Sequence, residues 1–507
     1  MLGDTSVPDV YLLLQQDPLH IDLSPYPTAL TARENVDCLT SHLLQFGGVE
    51  SLNLTGMTAG ADVLDHIISA AEVGGVAHLT HLTLRATQLS PLQLCRLMRA
   101  LSARAPRLID LDVSENQLGD TAVDSLSAWL SPTLQSLRIA GNSLSAEAVS
   151  KLLVALAAAK PRDLATLELS DNHCDAKTCA ALKTLMTTTE CQTTLRELYV
   201  AHCGLDEANS CCLAEGVHGS ALEVLDVSRN CCLLSFIFAV TAGQSVAFPA
   251  SLRVLDLSGN TCKRGAVGGL VEALRGCSER LEELYLHHTI QGDTALSAFL
   301  CGVGAMAALR VLDLSECGLT YRSGKVLAQH LPMHTQLTVI CLSHNLLEVE
   351  GVMDMASGLE RLCRLSTLEL GSCHLGNCGA VAVVTSLLRS CAPLERLDMS
   401  DNAINDAGLR DVCTLLSRLT CPRLRRLVIS KNACTKNSQP HLLEMMQGRQ
   451  SACLVVAHDT PLDEVASSSP SSATGSASNS VVEWYEGSSG SGWRADATAP
   501  PTSSSSM

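Results

Sequence analysis

The chain has 507 residues, of which 46% are apolar, 17% charged and only 3% aromatic. That length exceeds what one ordinary hydrophobic core supports, so the chain either divides into domains or grows in one dimension as repeats filled by aliphatic side chains. With 35 Lys and Arg against 52 Asp and Glu the net charge is −17, which repels phosphate backbones, argues against nucleic acid as a partner and suits a basic protein surface.

Taken in chain order, residues 1–16 carry no basic leader ahead of the short apolar stretch 11–14, so no secretory signal is expected. Residues 1–45 read as an N-terminal cap, with a degenerate strand at Ile21 and Leu23 and a helix over 35–44. From residue 46 to 435 the pattern LxxLxLxxN/C/TxL recurs, most plainly at 108–118 (LIDLDVSENQL) and 309–319 (LRVLDLSECGL). Its second apolar anchor falls at Leu52, Leu82, Leu111, Leu137, Leu167, Leu198, Leu225, Leu255, Leu284, Leu312, Ile340, Leu368, Leu397 and Leu427. These are fourteen copies, spaced 26 to 31 residues apart with a mean near 29.

Each part of the repeat has a physical cause. In xLxL, alternate residues face opposite sides of a short strand, so the leucines point inward and their neighbours outward. Where the chain leaves the strand stands Asn116, Asn142, Asn172, Asn230, Asn260, Asn345, Asn402 or Asn432. An amide both donates and accepts, which suits buried turn groups. Cys203, Cys317, Cys373, Thr87 and Thr289 fill the same place with weaker donors, and Met57 fills it with none. The second half of each copy reads as helix: Val149, Leu152, Leu153 and Leu156 follow Ser145, and Leu409, Val412, Cys413 and Leu416 follow Asn405 or Asp406 as caps. Prolines 106, 132, 161, 249, 393 and 422 fall just before the next strand and stop each helix there. Strands on one side and wider helices on the other bend the stack, with the strands lining the concave face.

After Asn230 the helix pattern weakens, and the run 233–240 reads either as an exposed apolar patch or as a buried irregular segment. It is also the longest interior apolar run, far too short to span a membrane. Residues 436–465 read as a C-terminal cap, with a short helix at 440–447 and a last strand at 453–456. From 466 to 507 the chain is rich in Ser, Gly, Ala and Thr and is expected to be a disordered tail. Trp484 and Trp493 in that tail read either as part of a docking motif or as stray aromatics.

The residue between the last two anchors of each copy faces out of the concave side. It is acidic at Asp112, Glu168, Asp226, Asp256, Asp313, Glu369 and Asp398, aromatic at Tyr199 and Tyr285, and basic only at Arg138. Two readings stand: an acidic groove with tyrosine anchors for a basic protein, or simply the common strand sequence of this repeat type. The serine column that follows, from Ser114 to Ser430, fits strand-edge hydrogen bonding better than catalysis.

Enzyme signatures are absent. The stretch 318–325 (GLTYRSGK) misses the phosphate-loop spacing by one residue, and His287-His288 lacks the further ligands a metal needs. No cofactor is expected. The 23 cysteines include adjacent pairs but no CxxC, so they read as reduced thiols of a reducing, cytoplasmic compartment.

The period of 28 to 30 residues, and the turn-column sequence Thr289, Cys317, Asn345, Cys373, Asn402, resemble the ribonuclease-inhibitor-like leucine-rich-repeat family. That resemblance covers about 390 residues. It implies an α/β solenoid, a horseshoe with parallel strands inside and helices outside, working as a protein-binding scaffold rather than as an enzyme. The same family also includes sensor ends of nucleotide-binding innate receptors and activators of small GTPases, so those roles stand as alternatives. Oligomeric state is not legible in the sequence.

Overall fold

The computed structural model describes residues 10–57, 61–105, 107–159, 161–187, 194–233, 247–260, 262, 266–390, 392–418, 423–447 and 454–457. The serine-rich tail, and all but the first residue of the apolar run at 233–240, lie outside the described residues.

Among the described residues, sixteen three-residue strands form one parallel sheet in strict chain order, alternating with fifteen α-helices. The chain is thus a leucine-rich-repeat α/β solenoid. Register is uniform: Leu111 lies beside Leu137, Leu137 beside Leu167, and so on along the anchor row. The sheet runs past both ends of the fourteen-copy array. His20–Asp22 pairs with Ser51–Asn53, and Leu454–Val456 pairs with Arg426–Val428, in the register of the interior. Both segments expected to cap the array therefore contribute a strand to it.

Between strands and helices runs one continuous apolar core, from Val10 to Ala457. Leucine dominates it, and among the described residues the only buried large rings are Trp129, Phe248 and Phe299. The low aromatic content is thereby explained: each layer is thin, and branched aliphatic side chains fill it against the layer on either side.

The asparagine column does what its chemistry predicts. Asn172 Nδ2 donates to the carbonyls of Ile139 at 2.9 Å and Leu169 at 3.0 Å, while its Oδ1 accepts from the Leu144 amide at 3.0 Å. One side chain thus ties its own strand end to the preceding turn. Cysteine keeps only the donor half: the Cys203 thiol lies 3.5 Å from the Leu169 carbonyl, and Cys373 lies 3.2 Å from that of Leu342.

Just before this column the chain turns left-handed. Ala86, Glu115, Asp171, His202, Arg229, His288, Glu316, His344, Ser372, Asp401 and Lys431 all take φ between 50° and 60°. Such a conformation is unfavourable for a residue with a Cβ. It is held where the amide reaches the next turn, as Glu115 N–H does to the Ala140 carbonyl at 2.7 Å and Arg229 N–H to that of Ser258 at 2.7 Å.

Helices begin where the caps place them. Ser145 Oγ accepts from the Ala148 amide, and Asn405 Oδ1 accepts from Ala407 and Gly408, so Asn405 rather than Asp406 caps the helix Asp406–Arg418. No described helix is long and apolar enough to cross a membrane.

Candidate binding surface

The uniform register brings the outward residues of successive strands side by side. Glu168, Tyr199, Asp226, Asp256, Tyr285 and Asp313 are consecutive neighbours in the third strand position. Asp112 is separated from Glu168 by Arg138, and Glu369 and Asp398 adjoin each other beyond Cys341.

A second column shares the same face and was not read from the sequence. Residues two apart on a strand point the same way. The first strand position therefore adds Asp110, Glu197, Val224, Val254, Glu283, Val311, Val339, Arg396 and Arg426 to the surface. The two-residue alternation of the strand carries the signal for this column.

Together the columns divide the face by charge. Arg138 bridges Asp110 at 3.1 Å and Glu168 at 3.9 Å. Arg396 lies 3.2 Å from Glu369 and 4.0 Å from Asp398. On the strands between these two arginines, neither column holds a lysine or arginine. The positive charge of that stretch sits at the strand entrances instead, tied to glutamates: Arg196 to Glu223 at 3.4 Å, and Arg253 to Glu282 at 2.7 Å. Valines 224, 254, 311 and 339 give the same central stretch an apolar flank.

Several acids also have a local task. Asp112, Asp226, Asp256, Asp313 and Asp398 each accept from the amide of the serine two residues on, at 2.8–2.9 Å. Such a bond fixes the turn off the strand. Yet Asn53 does the same for the Thr55 amide at 3.0 Å without a charge. The turn requires the side-chain oxygen, not the negative charge.

The electrostatic consequence is strongest at the centre. Burial pushes the Asp256 carboxyl up, and the Asp226 charge on the next strand pushes it further, to about 7. Glu369 is raised by burial too, with Arg396 opposing. The two tyrosines are held upright by glutamates of their own strands. Tyr285 donates its hydroxyl to Glu283 at 2.8 Å, and Tyr199 donates to Glu197 at 3.3 Å. Each Glu-Leu-Tyr strand thus presents a ring with a fixed edge, three strands apart, with Asp226 and Asp256 between.

The serine column is structural where it can be followed: Ser114, Ser170 and Ser343 hydroxyls accept from the amides of Ala140, Ala201 and Gly371 in the next copy. His287 and His288 both approach Glu316, at 3.7 and 3.9 Å. Among the described residues no group of three or more His, Cys, Asp or Glu side chains is arranged to hold a metal ion.

Comparison with known proteins agrees with this architecture. The family model described as Leucine Rich repeat matches residues 390–413. Ribonuclease inhibitor of Sus scrofa is 25% identical over 414 residues, covering 75% of this chain and 89% of that protein. NACHT, LRR and PYD domains-containing protein 14 of Mus musculus is 28% identical over 236 residues, which are 46% of this chain but only 21% of the relative. Among solved structures, that of the Rad7 and Elc1 complex in yeast gives a TM-score of 0.44 at 16% identity, covering 81% of this chain and 83% of that one.

Proposed function

Because the chain is a leucine-rich-repeat protein with ribonuclease inhibitors and NACHT, LRR and PYD domains-containing proteins among its homologues, we propose that it binds another protein across its strand face, and that this partner presents a basic surface. One observation carries the reading. From Glu168 to Glu369 the two outward columns hold seven carboxylates, two tyrosines and no cation. A fold gains nothing from like charges on adjacent strands, and an uncharged asparagine serves the turn equally well. A cationic partner would relieve the repulsion at Asp226 and Asp256, while Tyr199, Tyr285 and the valines supply contact area.

A reducing compartment fits the same reading, because the Cys203, Cys317 and Cys373 thiols donate hydrogen bonds within the repeat turns. A disulfide sulfur has no proton to give.

The test is a binding measurement on a triple variant, Asp226→Asn, Asp256→Asn and Asp313→Asn, which keeps the turn oxygens and removes three charges. A partner isolated by affinity capture should bind the variant about ten-fold or more weakly, with a shallower dependence on ionic strength. Unchanged affinity at low salt would remove the acidic surface from the binding site.

A further inference from the structure

We propose that Cys301 is an activated thiol, paired with His330, that forms a mixed disulfide with a small-molecule disulfide. The pair lies away from the strand face, where the helix Asp293–Val303 packs against the helix Ser323–His330. Cys301 is exposed, and its Sγ lies 3.4 Å from Nε2 of His330.

Three features separate this thiol from the others. First, the sulfurs of the turn column are buried and spent on carbonyls: burial pushes Cys317 and Cys373 up to about 12, so they stay protonated and inert. Cys301 instead faces solvent on one side and an imidazole on the other. Second, His330 has no competing role. Its Nδ1 is buried without a hydrogen-bond partner, so the one bond this ring makes is to the thiol.

Third, the ring one turn on is fixed as a neutral neighbour. His334 is 1% exposed, and its Nδ1 accepts the Met306 amide at 3.1 Å, which places the proton on Nε2. That Nε2 is also buried without a partner, and burial holds His334 below the usual imidazole range. The imidazole in hydrogen-bond contact with the thiol is thus that of His330. Buried polar atoms without partners are rare in folded proteins. Here two fall on histidines four residues apart, and one of those rings touches the exposed thiol.

The chemistry balances without a metal or a cofactor. The Cys301 proton passes to His330 Nε2. The thiolate attacks one sulfur of a disulfide R–S–S–R, forming the Cys301–S–S–R bond as the original S–S bond breaks. The departing R–S⁻ takes the proton back from His330. Cys301 is oxidised, and half of the disulfide is reduced.

The experiment follows reaction of the full chain with oxidised glutathione, and separately with iodoacetamide, by peptide mass mapping. Cys363 and Cys378, also exposed, serve as internal standards. Cys301 should react about ten-fold faster than either at neutral pH, and His330→Gln should bring it down to their rate without a change in melting temperature. Equal rates for the three thiols in the native protein would overturn the proposal, whether or not the variant folds. So would a fast Cys301 that is indifferent to His330→Gln in a folded variant.

Discussion

At the scale of single residues, the turn column has the clearest energetic meaning. Asn172 is 5% exposed, and its side chain satisfies groups from two consecutive copies. Asn172→Ala should cost about 3 kcal/mol in chemical denaturation, because several buried partners lose their only substitute for water. Asn172→Cys should cost less, since a thiol at the equivalent Cys203 still donates to a carbonyl. The aspartates behave differently. Asp256 titrates higher in the folded chain than in the unfolded one, so its contribution is favourable at low pH and is lost as pH rises toward about 7. Asp226→Asn removes the facing charge and keeps the turn oxygen. It should therefore stabilise the protein by up to about 1 kcal/mol at pH 8 and by almost nothing at pH 4, measured as the pH dependence of the melting temperature. The acidic column was legible from the repeat alone because period and strand phase fix which residues face out. The glutamates holding Tyr199 and Tyr285, and the serine amides under the aspartates, were not. They depend on which atoms of a three-residue strand come within reach of one another, and the pattern of apolar anchors carries no such information.

At the scale of elements, the helices are spaced by what their contact residues allow. Between the helix Ser323–His330 and the helix Glu348–Leu359 the backbones nearly touch. A Cβ at Gly351 would lie 2.7 Å from the Tyr321 Cα, and one at Gly358 would lie 2.6 Å from the Ala328 Cα. Alanine normally stabilises a helix interior relative to glycine by roughly 0.5–1 kcal/mol. Here the sign should reverse: Gly358→Ala should destabilise by about 1–3 kcal/mol through overpacking. Gly268, inside the helix Val267–Leu274, has nothing within 4 Å of its would-be Cβ. Gly268→Ala should show the ordinary gain, and thermal denaturation of the two variants side by side checks both signs. Helix positions and their stops were readable from the apolar spacing, the caps and the prolines. The close approach at Gly351 and Gly358 was not, because a helical glycine looks the same whether it faces solvent or another backbone.

At the scale of the whole molecule, every copy touches mainly its two neighbours, so damage should stay local. Hydrogen exchange on Asn345→Ala is expected to rise across the strands Val311–Asp313, Val339–Cys341 and Thr367–Glu369 and to leave Asp110–Asp112 unchanged. Exchange that rises equally in all strands would mean a single cooperative unit instead. The same linear build separates the tasks of the chain in space. Inward leucines hold it together, outward strand residues form the proposed binding face, and the left-handed turn residues form a rim between strand and helix. At that rim the backbone is held by amides that reach the next copy, and the side chains are as unlike as Ala86, Glu115, His202, Arg229 and Ser372. A lip held chiefly by main-chain bonds can exchange its lettering at little cost to the spiral beneath. Recognition at the mouth of the groove can then drift from one chain to another while the architecture stays put.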